Sequence, residues 1–268
     1  MTQDLTRDLR RDDVAEAERL FALADQDGTA PLPSLLMLDL CVFGGYRQAM
    51  FDESALGTWA ALTGEAREHF GGEAVAELVR RGLLSREPSR GYGAQTDDAP
   101  TTTRYRLHPA LAMILSTRAR PVWLAVCSFA ETALTGPRMY GLGSVPEPRR
   151  AAVIELPREQ PPTEPTVPEL ADLGKIYDYT LASTERAADL LAEWATLPLP
   201  DGHTSRERQV DVYHHPQGLP LTRIRLAVEG DEHRAQLTVG EPGAAEVVGD
   251  YDRSALAYYL LNVIRRFS

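Results

Sequence analysis

The chain has 268 residues, 43% of them hydrophobic and 25% charged, with a formal net charge of −11. That is enough apolar material for one large core or two modest ones, and too much acid for long-range attraction to nucleic acid or anionic membranes. No apolar run approaches the roughly 20 residues of a spanning helix; the longest, Leu35 to Phe43, is broken by Asp39. The opening Met1-Thr2-Gln3-Asp4-Leu5 lacks the apolar stretch of a secretory leader, so the cytoplasm is the expected compartment.

From the N-terminus, residues 12–25 repeat Val14, Ala17, Leu20, Phe21 and Ala24 at helical spacing, and Gly28 with Pro31 and Pro33 ends that helix. Leu35 to Phe43 is too short for periodicity to choose between helix and strand. Asp52 to His69 reads as mostly helical. Gly71-Gly72 reads as a loop before a further helix that runs to Arg81 and stops at Gly82. A polar excursion from Arg86 to Pro100 follows, then a β-prone return at Thr102 to Leu107. His108-Pro109 opens another helix, with proline at a favoured first-turn position. Helix, Arg81-Gly82-Leu83-Leu84, hairpin and return strand make a winged-helix-like pattern.

From Pro121 the pattern changes to short strands: 122–128, 138–142, 151–156 and 176–181, then a helix over 184–195. A second set at 210–214, 221–228, 234–239 and 245–248 precedes a helix over 253–267. The stripe Ala187, Leu190, Leu191, Trp194 recurs as Leu256, Tyr259, Leu260, Val263, offset by 69 residues. Ser183 or Thr184 can cap the first helix and Asp252 the second. The five prolines within 157–168 mark a solvated linker or loop. The expected class is α+β: a winged-helix-like helical region over 1–120, then two quasi-repeated antiparallel sheet-and-helix halves, 121–200 and 201–268.

Catalytic constellations are not apparent, and neither an enzyme nor a cofactor is expected. Adjacent His214 and His215 would point to opposite faces of a strand, which suits no single metal. Gly141-Leu142-Gly143 lacks the third glycine and following helix of a dinucleotide site. The two cysteines, Cys41 and Cys127, lie in apolar runs and read as buried free thiols. Lys175 is the single lysine among 28 basic residues, a bias that GC-rich, actinobacterial-type coding would produce.

Only residues 73–120 oppose the acidic trend, with 8 arginines against 5 acids. Read as a DNA-binding winged helix, this block offers Arg80, Arg81, Arg104 and Arg106 as phosphate contacts. Glu73 and Glu77 at the front of its helix work against that reading.

The order of pieces resembles the EspG family, the cytosolic chaperones of type VII secretion. The likeness is carried by Glu77-Leu78-Val79-Arg80-Arg81-Gly82-Leu83-Leu84, Leu107-His108-Pro109-Ala110-Leu111, the strand Pro121-Val122-Trp123-Leu124-Ala125-Val126, and the two sheet-and-helix halves. The resemblance implies a non-enzymatic adaptor that covers the helical tip of a PPE-type secretion substrate. Its partner is then a protein client, with neither nucleic acid nor membrane involved; a homodimer is compatible. From the residues themselves, Met139, Tyr140, Leu142 and Tyr213 are candidate partner anchors, with ordinary core as the competing reading. The alternative function is a winged-helix transcriptional regulator with a C-terminal sensing domain.

Overall fold

The computed structural model describes residues 11–43, 53–87, 104–129, 135–142, 150–158, 173–197, 207–214, 222–229, 232–239, 245–246 and 252–266. Helix α1 (Arg11–Asp27) buries Leu20, Phe21 and Ala24 as its spacing requires. Val14, expected on that face, is exposed, and Asp13 is buried in its place, where it meets Arg106. Gly28, at φ +77°, turns the chain into strand β1 (Thr29–Leu36).

Strand β1 corrects the reading of Pro31 and Pro33 as mere helix stoppers. Proline is tolerated where no neighbour needs its missing N–H, which is the case on an edge strand. Among the described residues β1 pairs only with β7 (Ile176–Ser183), and the register shifts between Leu32 and Leu35. The ambiguous run 35–43 is both things in turn: its first two residues finish β1, and Met37–Val42 form helix α2.

Helices α3 (Glu53–Ala61) and α4 (Gly64–Arg80) break at Thr63, not at Gly71-Gly72. The Thr63 hydroxyl accepts the Ala66 N–H at 3.2 Å and caps α4. Both glycines lie inside α4, despite the roughly 1 kcal/mol that each costs there against alanine. Gly82, at φ +73°, ends the turn after α4. Strands β2 (Leu84–Glu87) and β3 (Arg104–Leu107) then pair antiparallel as a separate two-stranded sheet. Helix α5 (Pro109–Ala119) follows, with His108 Nδ1 accepting the Ala110 N–H at 3.2 Å.

The remaining strands are β4 (Trp123–Phe129), β5 (Thr135–Gly141), β6 (Ala151–Arg158), β8 (Glu207–His214), β9 (Thr222–Glu229), β10 (Glu232–Val239) and β11 (Ala245–Glu246). Strand β6 extends to Arg158, so Pro157 and Arg158 of the linker expected over 157–168 are strand; 159–168 lie outside the described residues. Helix α6 (Thr184–Thr196) follows β7, and α7 (Arg253–Arg265) follows β11.

All these strands join β1 in one nine-stranded antiparallel sheet, in the order β1-β7-β6-β5-β4-β8-β9-β10-β11. This order is the decisive fact about the fold. Reading outward from the central β4–β8 pair, one side is β4-β5-β6-β7 and the other β8-β9-β10-β11. Each side is a four-stranded meander followed by a helix, so the halves are related by a pseudo-two-fold axis between β4 and β8. The helices run antiparallel beside each other: Arg253 at the start of α7 pairs with Glu193 near the end of α6 at 2.8 Å, and Arg265 at the end of α7 pairs with Glu185 at the start of α6 at 2.6 Å. Ser183 and Asp252 cap the two helices at equivalent positions.

Strand alternation divides the sheet's side chains between two cores. Trp123, Ala125, Cys127, Met139, Ile154, Val210, Val212 and Ile224 face α6 and α7. On the other face, Ala151, Val153, Tyr177, Tyr179 and Leu181 pack with α1, α2 and α5. The expected boundary at 120 falls in the connection between α5 and β4, yet β1 carries the N-terminal region into the shared sheet. The α+β class holds, with both halves in one layer.

Candidate functional site

The densest polar cluster lies where α5 meets the sheet. Strand β6 presents Ala151, Val153 and Glu155 to that face in turn, which places one carboxylate inside an apolar surface. Glu155 has no exposed surface. Arg118, in the last turn of α5 and 1% exposed, approaches Oε2 at 2.9 Å. Arg138 on β5 donates to Oε1 at 3.2 Å. The Tyr179 hydroxyl donates to Oε2 at 2.7 Å and that of Tyr140 to Oε1 at 3.3 Å. The Arg118 guanidinium also lies 5.8 Å from the Tyr140 ring centroid.

Two guanidiniums and two phenols therefore converge on one buried carboxylate. Burial, with the Glu155 charge beside them, pushes both phenols above their ordinary pKa and keeps them as donors. Chemically this is a clamp. Both oxygens of Glu155 are occupied, and no solvent reaches them. The clamp fixes the end of α5 to β5, β6 and β7.

A third arginine, Arg208 on β8, serves α6. It donates to the Trp194 carbonyl at the helix's C-terminal end, where a cation is favoured. Its guanidinium lies 5.0 Å from the Trp194 ring centroid and 5.3 Å from that of Phe129. The indole of Trp194 crosses β5 at Gly136, where a Cβ would come within 2.6 Å of the ring. Gly141 is held to glycine in the same way by the indole of Trp123.

The four anchors expected from sequence are scattered. Met139, 1% exposed, points into the core beneath α6 and α7. Tyr140, 2% exposed, belongs to the Glu155 clamp. Both side chains are core, on opposite faces of one strand, and present nothing to a partner. Leu142 is partly buried against the N-terminal core. Tyr213 is half-buried, and its hydroxyl approaches Asp211 Oδ2 at 3.4 Å, beside a Gln209 amide that donates to the same oxygen at 2.6 Å.

Three of the four arginines of the DNA reading have partners within the chain, although Arg80 and Arg81 stay exposed. Arg80 makes a double contact with Glu77 at 2.6 and 2.7 Å. Arg81 donates to the Ser34 carbonyl and faces Asp39. Arg106 grips Asp13 on α1 with two nitrogens. Arg104 is placed only as a backbone position on β3, paired with Glu87. His214 is exposed at the end of β8, and His215 lies outside the described residues. Cys41 and Cys127 are buried free thiols, and burial pushes Cys41 up to about 11 and Cys127 higher still. Among the described residues no group of histidine, cysteine or carboxylate side chains has the arrangement of a metal site, and no helix is long and apolar enough to cross a membrane.

Sequence reasoning missed the Glu155 clamp. Its one visible signal was a glutamate inside the run Ala151-Ala152-Val153-Ile154-Glu155-Leu156; its partners on α5, β5 and β7 carry no motif. Comparison of the chain with family models, curated proteins and solved structures finds no match.

Proposed function

We propose that the chain is a non-enzymatic adaptor of the type VII secretion chaperone kind, holding a helical, PPE-type client in the cytosol. The observation that carries this reading is the doubled meander-and-helix sheet preceded by helix, hairpin and helix. That is the element order on which the EspG resemblance rests. A protein built this way offers broad, rigid surfaces, and a stable client complex needs more than about 1,000 Å² of them.

The test is co-expression with a tagged PPE-type client, followed by size-exclusion chromatography at high salt. A complex that persists in high salt is expected, because an acidic chaperone with an apolar contact depends little on phosphate-like charge pairing. Failure to bind any such client, together with salt-sensitive retention on duplex DNA that weakens in Arg80→Ala/Arg81→Ala, would overturn the reading in favour of a regulator. The ties of Arg80, Arg81 and Arg106 to acidic or carbonyl partners within the chain weigh against that alternative.

A further inference from the structure

Asp39 occupies the third position of α2 and has no exposed surface. Its Oδ2 accepts the Leu36 N–H at 2.9 Å and lies 3.7 Å from an Arg81 nitrogen, beyond a good hydrogen bond. That arginine donates instead to the carbonyl of Ser34, in the shifted stretch of β1. Asp39 Oδ1 has no hydrogen-bond partner among the described residues. A carboxylate so enclosed is poorly compensated when charged.

Among the described residues the charged surroundings are few. From the α4 side come Arg81 and Glu77, the latter held by Arg80. On the sheet side, Asp178 accepts from the Ser34 hydroxyl and pairs with Arg158. Lys175 lends its backbone carbonyl to the Met37 N–H. Arg118 on α5 is committed to Glu155. Burial raises the proton affinity of Asp39, the Leu36 N–H and Arg81 lower it, Glu77 raises it, and the balance lies above the ordinary aspartate value.

We propose that Asp39 is a proton-linked latch at the seam between α2 and α4. The neutral acid avoids an uncompensated buried charge in the present packing. When it releases its proton to solvent, the Arg81 guanidinium exchanges the Ser34 carbonyl for the free carboxylate oxygen, and the irregular part of β1 loses its tether. The sign follows from the raised proton affinity. The stabilisation is complete below the unfolded-state pKa of aspartate and is lost as pH rises through the folded-state value.

The test compares urea unfolding of the full chain and of Asp39→Asn between about pH 4.5 and 8, where one linked proton changes the unfolding constant by at most about tenfold per pH unit. The asparagine keeps an acceptor for Leu36 and removes the titration. The wild type should gain on the variant as pH falls; a flat difference, or a gain toward alkaline pH, overturns the latch. In parallel, the Asp39 carboxyl carbon is titrated by NMR in the wild type and in Arg81→Gln. A midpoint above ordinary aspartate is expected, moving higher once the cation is removed. A midpoint at or below the ordinary value, or one indifferent to Arg81, overturns the proposal even if Asp39→Asn fails to fold.

Discussion

Two guanidiniums and two phenols share the carboxylate of Glu155, and the arithmetic of charge makes the members of that cluster unequal. Removing the anion leaves Arg118 and Arg138 buried side by side; removing Arg118 leaves a balanced pair. Glu155→Gln should therefore cost about 3–5 kcal/mol, the usual penalty for breaking a buried ion pair. Arg118→Met, which fills the space with an apolar chain, should cost clearly less. Urea midpoints and slopes of the two variants give the comparison, and equal losses would refute the argument. Gly136 supplies a steric counterpart. Alanine there drives a methyl group against the Trp194 ring and toward Cys127, at a cost of about 1–3 kcal/mol. The loss should shrink in a Trp194→Phe background, and tryptophan fluorescence in the single variant should report the displaced indole. Neither residue advertises its role in the sequence. A glycine in a strand and a glutamate in an apolar run are both readable as oddities, but what they touch is decided by strands far away in the chain.

At the level of elements, local chemistry was legible wherever neighbours in sequence decide the outcome. The helical stripes of α6 and α7, their Ser183 and Asp252 caps and the proline that opens α5 all lie within a few residues of the structure they create. The errors have one physical source. Pro31 and Pro33 stop a helix by local rules, yet they are admitted to β1 because its outer side needs no donors from them. Gly71 and Gly72 weaken a helix by local rules, yet α4 continues through them, supported by packing against α2. The outer faces of α6 and α7 carry the ladder of Arg253–Glu193 and Arg265–Glu185, with every partner substantially exposed. Such pairs contribute about 0–1 kcal/mol. A double-mutant cycle on either should return a coupling in that range that fades with added salt, and a larger, salt-insensitive value would mean that the helices depend on charge and not on the apolar residues beneath.

Across the whole molecule, the repeat seen in sequence becomes a geometric statement. Two meanders meet at β4 and β8, their helices lie antiparallel on one face, and the N-terminal helices cover part of the other. Sequence could count the eight strands of the two meanders, but it missed β1 and could not say that they form a single layer, because joining β4 to β8 is a long-range choice. The function proposed above would act at this scale, as would its co-expression test: with Met139 and Tyr140 in the core, a client would meet other parts of the assembled surface.

The pairing of β1 with β7 has a consequence for synthesis. Thr29 finds its partner in Ala182, so a growing polypeptide must leave the ribosome by roughly another 150 residues before β1 has anything to join. At about 5–20 residues per second that delay is on the order of ten seconds or more. Throughout it, Leu32 and Leu35 have no sheet beneath them. Pro31 and Pro33 remove two N–H donors from that waiting segment, which makes it a poor template for stray strands from other nascent chains. The same prolines that hid β1 from a reading of the sequence protect it while it is alone.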